Sequence, residues 1–180
     1  PTGNAFLSLP KINEQTAGIE DLTFLSMLHK GMIEIRGGEE LPLIRPFLQA
    51  DGHRLPLTQM QWSRDSFWLP VLKGKAGDLD FTMTILTPIG ERGFAVRMEL
   101  TGTEQAAIAW GLEGCWESSW HCINEDKPLD GTMHCYESGW NHSIVFDFRC
   151  GAPMFAFAPM CDREILSAFS KTGSGISYTL

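Results

Sequence analysis

No cluster of basic residues, no apolar run of membrane-spanning length and no change of composition along the chain marks these 180 residues. Lys and Arg number 14 against 22 Asp and Glu, a formal net charge of −8, which argues against nucleic acid or an anionic membrane as partner. The longest uncharged stretch, residues 150–161, is too short to cross a bilayer and holds two prolines. A transmembrane protein is excluded on that reading. There is no Gly-x-Ser-x-Gly and no phosphate-cradling glycine loop: Gly37-Gly38 and Gly173-Ser174-Gly175 lack the following lysine and the strand-to-helix context. A nucleotide enzyme and a serine hydrolase both lose support, and no cofactor is expected.

Five cysteines, an odd number, do not read as a disulfide scaffold in a chain long enough to bury its own core. No charged and apolar leader opens the sequence, so reduced thiols in a cytoplasmic protein are the expectation. No linker or internal repeat divides the chain, and residues 1–180 are read as one domain, cut short at its C-terminal end.

What is present is a period of two. In residues 79–85 the apolar side chains Leu79, Phe81, Met83 and Ile85 take every odd position. Residues 94–100 alternate again, with Arg97 and Glu99 on the opposite side, and Ile144, Phe146 and Phe148 repeat the pattern. Alternation of this length means a strand with one face buried. Asp51-Gly52, Gly90-Glu91-Arg92-Gly93 and the glycines between Lys73 and Asp78 supply turns between such runs. Roughly nine to eleven strands result, more than one open twisted sheet holds comfortably. The expected fold is all-β: an antiparallel two-sheet β-sandwich of supersandwich-like style.

Two segments stand apart. In residues 19–29, Ile19, Leu22, Leu25 or Ser26, and Leu28 or His29 fall at helical spacing, led by acidic residues and followed by Lys30-Gly31, so the segment is either one short N-terminal helix or a bulged strand. Residues 176–180 carry a strand pattern that stops abruptly, which suggests either a sheet cut from something longer or an edge strand completed by a partner chain, the latter giving a homo-oligomer through sheet edges.

The search for chemistry is mostly negative. Cys115, His121, Cys122, His134 and Cys135 lack the tight spacing of a zinc site, and adjacent His-Cys pairs on strands point to opposite faces. No metal site is assigned. The acids Glu39-Glu40, Glu113/Glu117 and Asp126/Asp130 read as solvated groups, and none is assigned a catalytic role. Six tryptophans remain, and an indole face stacks on the apolar face of a sugar ring. Trp110 reads as core, and Trp116 and Trp120 stay open. Trp62 and Trp68 bracket Ser63-Arg64-Asp65-Ser66, read as a polar loop. Trp62, Arg64, Asp65 and Trp68 are therefore the candidate carbohydrate-binding residues.

Residues 31–35, Leu43-Ile44-Arg45-Pro46-Phe47, Gln61-Trp62-Ser63-Arg64 with Phe67-Trp68-Leu69-Pro70, and Arg92-Gly93-Phe94 leading to Glu99-Leu100-Thr101-Gly102-Thr103 resemble, in strand order and style, a known domain type. It is the N-terminal β-sandwich of large glycoside hydrolases that continue into an (α/α)6 catalytic barrel, as in the glucoamylase-like, amylo-1,6-glucosidase-like and glycoside phosphorylase groups. The resemblance spans residues 30–180 and implies a non-catalytic companion, because in those families the catalytic acids lie in the barrel. No catalytic residue of the family has a counterpart here, and the linker helices that join sandwich to barrel are absent from the sequence.

Three functions follow from these readings. The first is a non-catalytic sandwich module of a glycoside hydrolase, whose partners are an oligosaccharide and a helical catalytic domain. The second is a free-standing carbohydrate-binding protein, and the third a small metal-dependent enzyme on a sandwich or barrel.

Overall fold

The computed structural model describes residues 1–27, 31–38, 40–102, 108–115, 119–129, 133–140, 143–148, 155–157, 168–172 and 175–179. The strands of the N-terminal half are β1 (Thr2–Gly3), β2 (Leu7–Leu9), β3 (Asp21–Ser26), β4 (Gly31–Arg36), β5 (Arg45–Ala50), β6 (His53–Leu55), β7 (Leu57–Asp65), β8 (Leu69–Ala76) and β9 (Leu79–Leu86). Those of the C-terminal half are β10 (Ala95–Thr101), β11 (Ile108–Cys115), β12 (Ser119–Cys122), β13 (Lys127–Pro128), β14 (Met133–Glu137), β15 (Ile144–Phe148), β16 (Phe155–Phe157), β17 (Ala168–Thr172) and β18 (Gly175–Thr179). Every pairing between them is antiparallel, and no helix occurs among the described residues.

The alternation that announced the strands also sorts their side chains. In β9, Leu79, Phe81, Met83 and Ile85 are buried, and Thr82 and Thr84 point the other way. Leu72 and Ala76 of β8 join them. In the sheet β1-β2-β3-β4-β12-β13, Leu7, Phe24, Ile33 and Cys122 lie side by side and are all buried. One residue along, Ser8, Thr23, Glu34 and His121 form the matching row on the outer face. A slip of one residue in any of these strands would exchange the apolar row for the polar one. Buried residues of this sheet, of the meander β10-β9-β8-β7 and of β5 form a single core cluster. Each fully buried Leu, Ile, Phe or Met there contributes roughly 1.5–3 kcal/mol by leaving water.

The all-β, antiparallel, sandwich-like fold expected from the alternation is present. Among the described residues its strands are divided over four hydrogen-bonded sheets, because β17-β18-β11-β5-β6 and β14-β15-β16 form ladders of their own. Residues 19–29 hold no helix among the described residues: Asp21–Ser26 is β3, paired with β2 and β4. Leu25, one of the side chains in the helical spacing, is exposed on the outer face, while Leu22 and Phe24 are buried in the core and Thr23 and Ser26 are buried beside them. Residues 28–30 lie outside the described residues. The C-terminal segment is corrected too. β18 sits between β17 and β11, so both of its sides are already paired and it is no edge strand.

The N-terminal segment ties sheets together. Ile19 bridges to Ile12 and to Ile44, with reciprocal backbone bonds to Ile44 of 2.7 and 3.0 Å. Beyond it, Leu43 is gripped by two glycines. A Cβ on Gly37 would fall on the Leu43 backbone nitrogen, and one on Gly114 on its carbonyl oxygen. Only glycine permits that approach of three backbones.

Candidate carbohydrate-contact cleft

The β7–β8 hairpin positions the cleft. Trp62 is paired with Leu72 and Arg64 with Pro70, so Trp62 and Arg64 share the face on which Leu72 and Pro70 are buried. At the edge of the sheet this face is only partly covered. The Trp62 ring packs partly buried against the core, and its Nε1 donates to the Glu14 carbonyl at 3.1 Å. That bond fixes the indole by both its flat body and its polar edge.

The other wall comes from the segment after β2. Asn13 Oδ1 accepts from the backbone nitrogens of Gln15 and Thr16, at 2.9 and 3.1 Å, and so folds the chain back in an Asx turn. The Ile12–Ile19 bridge holds the base of the turn. Pro10, Lys11, Ile12 and Glu14 then face Trp62, Ser63 and Arg64 across a cleft of about 450 Å³. Its wall combines an indole, two cationic side chains and a carboxylate.

Of the four residues singled out in the sequence, the structure brings Trp62 and Arg64 together. Asp65 ends β7 opposite Leu69, one step along on the alternate face, and its Oδ1 accepts from Ser66 Oγ at 3.4 Å. Trp68 lies on the turn, exposed, with its carbonyl accepting from Thr2 Oγ1 at 3.4 Å. Neither lines the cleft. The polar loop inferred at residues 63–66 is corrected: Ser63, Arg64 and Asp65 are ladder residues of β7, and only residues 66–68 turn. Ser66 and Phe67 adopt positive φ of 49° and 73°, the left-handed region in which a bulky side chain is strained.

A second depression, of about 510 Å³, adjoins the first, with Lys11 on the wall of both. Glu20, Asp21, Arg36 and Arg45 line it. Lys11 forms an ion pair with Glu20, and Asn13 Nδ2 donates to Glu20 Oε1 at 2.8 Å. These bonds, the lysine's first, hold the Glu20 carboxyl below the usual range. Burial, followed by the charge of Glu34, pushes the neighbouring Asp21 the other way, against the pull of Arg36. Behind this wall Glu113 takes Arg45 Nε at 2.7 Å and Arg54 Nη2 at 2.8 Å. Burial opposes its ionisation, but the two guanidinium hydrogen bonds outweigh that and lower it.

Lys11, Glu14, Glu20 and Asp21 were not singled out from the sequence. The available signal was the turn composition of Asn13-Glu14-Gln15-Thr16 ending at Gly18, between Pro10 and an isoleucine. The ligand-type residues named earlier are spread over several strands. Cys115 belongs to β11, His121 and Cys122 to β12, and His134 and Cys135 to β14, in three different sheets. Among the described residues no group of three or more His, Cys, Asp or Glu is placed to hold a metal. Glu39, Trp116, Glu117 and Asp130 lie outside the described residues, and Trp110 packs partly buried against the core. No described helix is long and apolar enough to cross a membrane. Set against known proteins, the chain matches no family model and no curated sequence.

Proposed function

We infer that this chain is a non-catalytic β-sandwich module of a carbohydrate-active enzyme and that the Trp62 cleft contacts an oligosaccharide. The observation that carries the inference is the half-buried Trp62 indole, pinned by Glu14 beside Arg64 and Lys11. A neutral sugar ring has an apolar face and a rim of hydroxyls that donate and accept. An anchored indole suits the face, while ammonium, guanidinium and carboxylate groups suit the rim. The cleft volume falls in the range of small-ligand sites, about 300–1,000 Å³. Phe67, Trp68 and Ile89, exposed on two loops at one end of the meander, are the surface assigned to the helical catalytic domain.

Calorimetric titration of the chain with a panel of neutral oligosaccharides tests this reading. Saturable binding is expected, lost in Trp62→Ala and kept in Trp140→Ala, whose indole is exposed elsewhere. Binding that survives Trp62→Ala, or no binding across the panel, contradicts it. Hydrolysis of an aryl glycoside by the purified chain would overturn the non-catalytic part.

A further inference from the structure

Sheet edges in this molecule are handled unequally. β7, one edge of the meander, carries a register shift between Thr58 and Gln61, with Gln59 at a φ of 52°, and the Glu14 turn stands beside it. Such bulges keep an edge from pairing with another chain. Strands β1, β6, β13 and β16 are edges of two or three residues. β10, the other edge of the meander, has none of these devices. It pairs with β9 through seven consecutive positions without a shift, and among the described residues β9 is its single strand neighbour. It is the longest regular edge among the described residues.

The side chains of β10 are self-complementary. Ala95, Arg97, Glu99 and Thr101 are exposed, while Val96, Met98 and Leu100 lie half-buried against the core. Two copies of this strand placed antiparallel about Met98 bring Arg97 opposite Glu99 of the second copy, and Glu99 opposite its Arg97. Val96 then meets Leu100, and Met98 meets Met98, extending the apolar layer across the join. Moving the register by two residues in either sense sets Arg97 against Arg97 or Glu99 against Glu99. Opposite charges directly across an antiparallel pair stabilise it and like charges oppose it, so the strand specifies one register. Within one copy Arg97 Nη2 and Glu99 Oε1 are already 2.8 Å apart, both exposed, and can be shared with the second copy.

We propose that β10 is a homodimerisation edge: two copies of this chain pair β10 with β10 about a two-fold axis at Met98, joining the two meanders into one continuous eight-stranded sheet. Such a contact is isologous, and closed symmetry of this kind stops at two chains. The proposal is independent of sugar binding.

Sedimentation equilibrium on the full 180-residue chain tests it. The expected result is a reversible monomer–dimer equilibrium, the dimer having twice the 20.1 kDa chain mass. Arg97→Glu and Glu99→Arg each place like charges across both symmetric contacts, and each should weaken the dimer by about tenfold or more. The exchanged double variant, Arg97→Glu with Glu99→Arg, restores opposite charges and should recover the native affinity within about threefold. Both positions are exposed, and circular dichroism checks that each variant keeps its strand spectrum. A chain that stays monomeric at all concentrations overturns the proposal. So does a dimer indifferent to the single reversals, or one that the exchange fails to restore.

Discussion

The Trp62 indole nitrogen donates to the Glu14 backbone carbonyl at 3.1 Å, across 48 residues of sequence. One bond thereby joins the edge strand of the meander to the turn that forms the opposite wall of the cleft. Trp62→Phe keeps a flat ring but loses the donor. It should lower stability by about 1 kcal/mol in urea unfolding and weaken sugar binding without abolishing it. Trp62→Ala should cost about 2–3 kcal/mol, below the range for a fully buried ring, and abolish binding. A Trp62→Phe variant that matches the native protein in both assays would contradict the anchoring role of the bond.

Glu113 and Asp21 should shift acid stability in opposite senses. The Glu113 carboxyl is lowered in the folded state, so its contribution is fully present above the ordinary value of 4.5 and is lost as pH falls through the folded value. Glu113→Gln should therefore destabilise the protein at pH 7 and flatten its loss of stability in acid. Asp21 is raised above its ordinary value of 3.8, so its ionised form is penalised in the folded state at neutral pH, and the penalty fades as pH falls through the folded value. Asp21→Asn should raise stability at pH 7 and leave it unchanged below pH 3. Unfolding curves at a series of pH values check both signs.

Gly114→Ala should be among the most destabilising single-methyl changes in the chain. The added carbon meets the Leu43 carbonyl oxygen, a backbone atom that cannot rotate away. A cost of about 2–3 kcal/mol is expected from overpacking, read as a lower thermal midpoint. Gly52→Ala would meet nothing within 4 Å, but its φ of 79° makes it a strained position for a different reason.

Phe67 is 92% exposed and has a φ of 73°, so it is unfavourable both as a surface residue and as a left-handed one. Phe67→Asn should stabilise the isolated chain by about 0.5–1 kcal/mol, seen as a higher urea midpoint at unchanged slope. The same change should weaken docking of a helical partner domain if the Phe67–Trp68 turn is the contact. A destabilised Phe67→Asn would mean that the ring makes a contact its exposure does not reveal.

The strands were legible where one face is buried and the other wet. β9 and β10 show their alternation directly, and Asp51-Gly52 forms the β5–β6 turn with φ of 48° and 79°. β3 was ambiguous because Thr23, on its polar face, is buried under Ser8, the two hydroxyl oxygens 2.5 Å apart, while apolar Leu25 on the same face is exposed. Burial there follows from the neighbouring strands, which no local pattern encodes. The same holds for the cleft. Trp62 and Arg64 are two apart on a strand and so share a face, which alternation alone implies. The opposing wall at Lys11 and Glu14 depends on the Ile12–Ile19–Ile44 bridges, long-range pairings invisible in composition or period.

The central claim, that the cleft beside Trp62 receives a sugar, is tested most directly by the indole N–H resonances of the six tryptophans during titration with a neutral oligosaccharide. The predicted result is a saturable shift of the Trp62 resonance with slowed exchange of its proton, and an unmoved Trp140 signal. A titration in which Trp62 stays fixed while another indole saturates, or in which none moves, contradicts the account.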